Sequence, residues 1–359
     1  MLSSQLLAFF ASPAEFVQQA TPQQWTTFLQ QARQQGLTAR FYYVLQTKQL
    51  LDQVPLQVKL HGESGARYAQ KQQHSLYAEL QQLESLFAVA DYPCLLLKGA
   101  AYRTQALAVS FGRLFSDIDI LVPAAQLRHV RDRLFFYGFR EAQMTDYDRD
   151  YYLNWSHQNP PLQHYQRGTV IDLHHHIYPT ASARKIDISP IFSHAEALPG
   201  SAFKLPKSAH LFIHAAVHLF YQEETHKLQK DLIDLNDLLL QVQQEQQLDF
   251  MLQQATLMTV QSAVANACQI LAEVFANPAA QHCRGSMRLS KAQPLVCYLL
   301  LSMLRGDGPR AWLAQQLWFV RGHKLKMRWQ VLLYHTLAKP TAAIRQWLKR
   351  ALHSDIKRR

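Results

Sequence analysis

The chain is poor in the residues that mark several common protein classes. Of 359 residues only four are cysteine (Cys94, Cys268, Cys283, Cys297), and no two stand at C-x-x-C spacing. They read as reduced, mostly buried thiols of a cytoplasmic protein. No apolar run approaches the roughly 20 residues of a membrane span. The N-terminal patch Leu6-Leu7-Ala8-Phe9-Phe10 follows no Lys or Arg, so the positive region of a secretory signal is missing and a first helix is expected instead. There is no Walker A sequence, which argues against a P-loop ATPase, and no H-E-x-x-H. Charged residues make up 18% of the chain and hydrophobic ones 48%, the balance of a globular protein long enough for two or three cores.

Acids are scarcer than bases, 26 against 37, for a net charge of +11. The excess is local. From Arg321 to the end there are eleven basic residues and one acid, Asp355, so the remainder is close to neutral. Basic residues there alternate with Trp329 and Trp347. Such a stretch can meet nucleic acid or an anionic membrane surface, or be a solvated helix face over a buried aromatic stripe.

The chain is organised around Leu95–Val122. Leu95-Leu96-Leu97 is too short for a helix and ends at Gly99, so it is expected to be a buried strand. A helix over 100–107 and a polar loop over 110–116 carrying Arg113 follow. Asp117-Ile118-Asp119-Ile120 then alternates acid and aliphatic. In a strand, residues two apart share a face, which puts Asp117 and Asp119 on one side and the isoleucines on the other. Paired like charges need water, a raised pKa or a cation, and Mg²⁺ takes one or two carboxylates together with substrate phosphates. The plain alternative is a solvated edge strand.

These residues resemble the DNA polymerase β-like nucleotidyltransferase superfamily, and most closely a group of bacterial nucleotidyltransferase-fold proteins of largely uncharacterised role. The group's Leu-Lys-Gly turn, Arg, Asp-hydrophobic-Asp and distant Asp-Leu-His appear as Leu97-Lys98-Gly99, Arg113, Asp117-Ile118-Asp119 and Asp172-Leu173-His174. Gly99-Ala100 stands where the wider superfamily has Gly-Ser or Gly-Gly. The resemblance covers roughly residues 15–245. It implies an α+β fold with a small mixed sheet and transfer of a nucleoside monophosphate from an NTP, with Mg²⁺ or Mn²⁺. Asp117, Asp119 and Asp172 would be the catalytic and metal-binding acids. Lys98, Gly99, Ala100, Arg113 and Ser116 would be the phosphate-side residues. The acceptor, whether protein, RNA, sugar or small molecule, is not written in the sequence.

Around this core the pattern is helical. Thr21-Pro22 caps a helix carrying Trp25, Phe28, Leu29 and Ala32, and Gly36 stops it. Helices are expected over 37–50, 54–89 and 123–137, a strand over 139–142, and a hairpin of 162–166 with 169–177 in which Val170, Asp172, His174 and His176 share a face. Residues 144–168 resist assignment up to that hairpin. From Pro206 onward the chain reads as all-helical. The expected division is a helical region over 1–90, a nucleotidyltransferase-like core over 91–200, and a helical region with a basic tail over 201–359.

His210, His214 and His218 fall on one helix face. With Asp231 they suggest a metal-dependent hydrolase. The plainer expectation is buried histidines bonded to Asp231 or Asp234. A third function class is a nucleotidyltransferase fold kept as a binding or regulatory module.

Overall fold

The computed structural model describes residues 4–287, 291–306 and 308–332. Seven strands form one mixed sheet: β1 (Cys94–Leu96), β2 (Ile118–Leu121), β3 (Phe139–Glu141), β4 (Leu162–His164), β5 (Val170–His174), β6 (Glu196–Ala197) and β7 (Phe203–Leu205). Their order is β3-β4-β5-β2-β1-β7-β6. The fold is α+β, with helices before and after the sheet.

The central strands are aliphatic because both of their faces are covered. All four residues of β2 and all three of β1 are buried, as expected for strands enclosed by helices. β2 runs parallel to β5, with Asp119 opposite Asp172 and Leu121 opposite His174. β1 lies on the other side of β2, antiparallel, with Leu95 opposite Leu121.

The N-terminal helices follow the predicted signals. Thr21 and Gln24 form a reciprocal capping box with Pro22 at the first helical position of Pro22–Gln34, and Gly36 takes φ +66° behind it. Thr38–Thr47 packs on the long helix Leu56–Phe87. Arg40, from the first of these two, is almost fully buried. Its guanidinium donates to the Val109 carbonyl and to the Asp237 carboxylate, and stands 4.0 Å from Asp234. It thereby ties the loop ahead of β2 to the helix Leu228–Gln244. The same loop touches the backbone of Ala39 through Gly112. With φ +69°, Gly112 leaves no room for a Cβ, which would lie 2.6 Å from the Ala39 carbonyl.

Several expectations shift in detail. The helix after β1 is Lys98–Thr104, and that after β2 is Leu127–Phe136 behind a short 3-10 turn. The unassigned stretch contains a helix, Asp146–Trp155, capped by Thr145. β6 and β7 extend the sheet beyond β1. β5 ends at His174, so His176 does not continue its face; the His176 ring instead bonds the Ile186 carbonyl. The all-helical region begins at Ser208. No described helix is long and apolar enough to cross a membrane. The four cysteines are buried free thiols. Of the expected basic tail, everything beyond Leu332 lies outside the described residues, as does Asp307.

Candidate active site

The parallel pairing of β2 with β5 builds the site. It sets Asp119 beside Asp172, although 52 residues lie between them in the chain. His174, two residues after Asp172, returns to the same face. One ligand-capable atom from each of Asp119, Asp172 and His174 lies within 4.8 Å of the others, and among the described residues this is the one such set.

Asp119 is the most enclosed acid, 2% exposed. Its Oδ1 accepts from Lys98 Nζ at 2.6 Å and lies 2.9 Å from His174 Nε2. Burial alone would raise its pKa, but the Lys98 ammonium and the His174 contact together hold it well below the usual carboxylate value. Asp172 behaves in the opposite way: burial and the neighbouring Asp119 charge push it up. Gln158 Nε2 donates to its Oδ2 at 2.9 Å. Asp117, just before β2, is also raised by burial and by Asp119. The acids thus differ in kind, one ionised and paired, two reluctant to ionise.

Lys98 reaches Asp119 from a strained turn. It has φ +42°, a left-handed value that costs a non-glycine residue of the order of 1–2 kcal/mol. Despite burial, the acids around it raise its pKa, Asp119 most. Gly99 and Ala100 follow in the buried first turn of Lys98–Thr104. A Cβ on Gly99 would stand 2.7 Å from Arg113 Nη1 and 3.1 Å from Phe115 Cβ, so the glycine makes room for the loop carrying Arg113.

Arg113 is held from behind. Its Nε donates to Asp234 Oδ2 at 2.9 Å, and its guanidinium lies over the Tyr102 ring at 5.3 Å. Asp234 also receives Lys230 Nζ at 3.1 Å. Against burial, Lys230, Arg113 and Arg40 bring Asp234 down to about 2.

A cleft of about 740 Å³ opens over these residues, lined by Lys98, Arg113, Ser116, Asp117 and Asp119, with Tyr68, Gln72 and Lys230 on its walls. Asp172 stands beside Asp119 but is not part of that lining. Asp117 falls outside the tight set, and His174 is its third member. The histidine was visible as the end of Asp-x-His on a strand; its direct contact with Asp119 was not foreseen. Gln158, in the stretch that resisted assignment, had no sequence signal.

The helix Ser208–Tyr221 carries the other histidines, which separate. His210 Nε2 is 3.3 Å from Gln254 Oε1, and its ring meets His194 and Phe250. His214 and His218 border a hollow of about 60 Å³ shared with Lys98, Arg113, Asp231 and Asp234. Asp234 is taken by cations, and His210 turns to Gln254, so the expected pairing of these histidines with the two aspartates is not the arrangement found. Burial, with Lys98 nearby, pushes His214 down to about 3 and His218 well below its ordinary value. Two cations beside neutral imidazoles make a poor cradle for a metal ion.

An acid pair and a histidine on adjacent parallel strands, under an open polar cleft, define an α+β protein with a carboxylate-centred site. The chain belongs to a family described as uncharacterised nucleotidyltransferase, with the match running over residues 21–276. That span includes β1 to β7 and every residue named at the site. No curated protein and no solved structure matches the chain.

Proposed function

We propose that this protein transfers a nucleoside monophosphate from an NTP to an acceptor, releasing pyrophosphate. The observation that carries the reading is the registered Asp119–Asp172 pair, with His174, beside a cleft large enough for a nucleotide. The donor set suits a divalent cation. It joins two carboxylates to one imidazole nitrogen, and Asp117 and Asp172 pay a penalty for ionising that a cation would relieve. Asp119, Asp172 and His174 would hold Mg²⁺ or Mn²⁺, with Asp117 at the cleft side. The bound ion would supply neutralisation of the charge developing on the phosphates.

The residues of the chain do the rest. An acceptor oxygen attacks the α-phosphorus, a new P–O bond forms, the bond to the β-phosphate oxygen breaks, and pyrophosphate leaves. Asp172, ionised and beside the reacting centre, would take the acceptor proton. Arg113, oriented by Asp234, presents the remaining N–H groups of its guanidinium to phosphate oxygens. Lys98 is the second cation at the cleft floor, and Ser116 lies exposed at its rim. Gly99 and Ala100 shape the turn beneath.

One observation favours a second reading, a binding or regulatory module: the Lys98 ammonium already satisfies Asp119. Incubation with α-phosphate-labelled NTPs, Mn²⁺ or Mg²⁺ and cell extract separates the two. Transfer is expected from the wild type and not from Asp119→Asn. Equal label with both proteins overturns the enzymatic reading, and nucleotide binding without transfer supports the module. The acceptor class is read from which labelled product resists protease, nuclease or filtration.

A further inference from the structure

The helix Pro309–Lys326 is apolar on two opposite sides, and only one is covered. Ala314, Trp318 and Gly322, each four residues after the last, are buried. Gly322 lies so close to the helix Ser208–Tyr221 end that a Cβ on it would meet the Glu223 backbone at 2.5 Å. On the other side Trp312, Leu313, Leu317, Phe319 and Val320 stand 47–63% exposed. At about 100° per residue these five lie on the side opposite the buried one, in two groups, Trp312 with Phe319 and Leu313 with Leu317 and Val320, separated by Gln316 and His323. Leu295 and Tyr298 of the neighbouring helix Gln293–Arg305 are exposed as well, and so is Trp329. Large apolar side chains exposed together in this way mark a contact surface.

Charge identifies the contact. From Asn277 to the end the chain has sixteen lysines and arginines and two acids, Asp307 and Asp355. Neither of the two helices contains an acid. Arg310, Lys324 and Arg328 are exposed. Lys326 and Arg321 turn inward, Lys326 Nζ to Glu223 at 2.9 Å and Arg321 Nη1 to the Phe220 carbonyl at 2.8 Å.

We propose that this face docks on an anionic lipid bilayer, with the aliphatic and aromatic side chains seated at the headgroup boundary and the basic residues on the phosphates. Helices that lie in a membrane interface have this composition, and each basic residue near an anionic surface adds about 1 kcal/mol, roughly a fivefold gain in binding. A nucleic acid would use the basic residues and flat rings but give Leu313, Leu317 and Val320 nothing to do. A second copy would set two strongly basic surfaces face to face. The segment 333–359, with seven basic residues and one acid, would meet like charge on this face, whereas lipid phosphates attract both. Trp312 lines a hollow of about 320 Å³ with Gln35, and Gln35 also lines the large cleft, so the bilayer would lie beside the site's mouth. The proposal does not depend on the nucleotidyl-transfer reading.

The test uses the full chain and cosedimentation with phosphatidylcholine vesicles, with and without about one-third phosphatidylglycerol. Binding to the anionic vesicles and little to the neutral ones is expected. Leu313→Gln/Leu317→Gln/Val320→Gln should weaken it roughly tenfold or more, as should Lys324→Glu/Arg328→Glu. All five positions are exposed or border solvent, and an unchanged thermal melt shows that the variants fold. Three results overturn the proposal: no binding to anionic vesicles, binding that the apolar triple variant retains, or retention on an RNA or DNA oligomer in place of vesicles. A concentration-dependent dimer that does not bind vesicles assigns the face to a second copy instead.

Discussion

At the scale of single residues, Asp119 is a carboxylate whose charge is supported from both sides. Replacing Lys98 by Met leaves that charge with His174 alone. Breaking a buried pair in this way costs about 3–5 kcal/mol, less here because a quarter of the Lys98 side chain meets water. A lowered melting temperature is therefore expected for Lys98→Met. Saturating Mn²⁺ should recover more of it than the ion adds to the wild type, since a cation can then take the vacated position. A calorimetric series with and without Mn²⁺ checks this, and equal increments in both proteins would remove Asp119 from the cation site. Gly99→Ala is expected to destabilise by about 1–3 kcal/mol, because its Cβ would meet Arg113 and Phe115. The same melt reads it, together with loss of label transfer as Arg113 is displaced. Alternation put Asp117 and Asp119 on one strand face, whereas Asp172 was singled out by the resemblance, and its place opposite Asp119 comes from the sheet register. The partners were not legible: Arg113 appears in the sequence as a loop cation, and its bond to Asp234 joins residues 121 positions apart, a separation that no local pattern encodes.

At the scale of elements, the helix Ser208–Tyr221 makes the protein sensitive to acid. Folding holds its histidines neutral through burial, His210 at about 4 and His214 at about 3. Below the ordinary histidine value of about 6.5 the unfolded chain takes up protons that the folded chain refuses. Stability therefore falls as pH drops from about 6.5 toward those folded values, and is unaffected by these groups above pH 7. The melting temperature should decline steeply between pH 7 and pH 5. His214→Asn should make the decline shallower by up to about 1.4 kcal/mol per pH unit, one proton's contribution. An unchanged slope would show that the buried imidazole does not set it. Asp119 acts in a separate window: its lowered pKa gives stability above the usual carboxylate range, lost as pH falls below it. Helices with strong periodicity, such as the capped Pro22–Gln34 and the long Leu56–Phe87, were readable within a few residues. The strands β6 and β7 were not, since two or three residues carry no period, and Asp146–Trp155 buries only Tyr147, so no apolar stripe marks it. Gln158, lying between that helix and β4, is expected to matter for transfer: Gln158→Ala frees Asp172, and a several-fold loss of label transfer without a change in melting would confirm that it orients the acid.

At the scale of the whole molecule, the sequence suggested three consecutive regions, and the side chains between them are heavily shared. Arg40 comes from the first, Val109 from the second, Asp234 and Asp237 from the third. Glu79 of the long N-terminal helix takes a two-point bond from Arg167 and a hydroxyl from Thr169, at the turn between β4 and β5. A fragment of residues 91–200 is accordingly expected to be unfolded or aggregated when expressed alone, with a proton spectrum lacking dispersion. A dispersed spectrum would show that the sheet needs none of these ties. Arg40 has a further meaning for how such a protein can change over generations. A single guanidinium threads pieces of chain that lie far apart in the gene, so a cassette exchanged at either boundary would arrive with a lock and no key. Variation in substrate choice would then have to come by point substitutions along the cleft rim, with the keystone left in place.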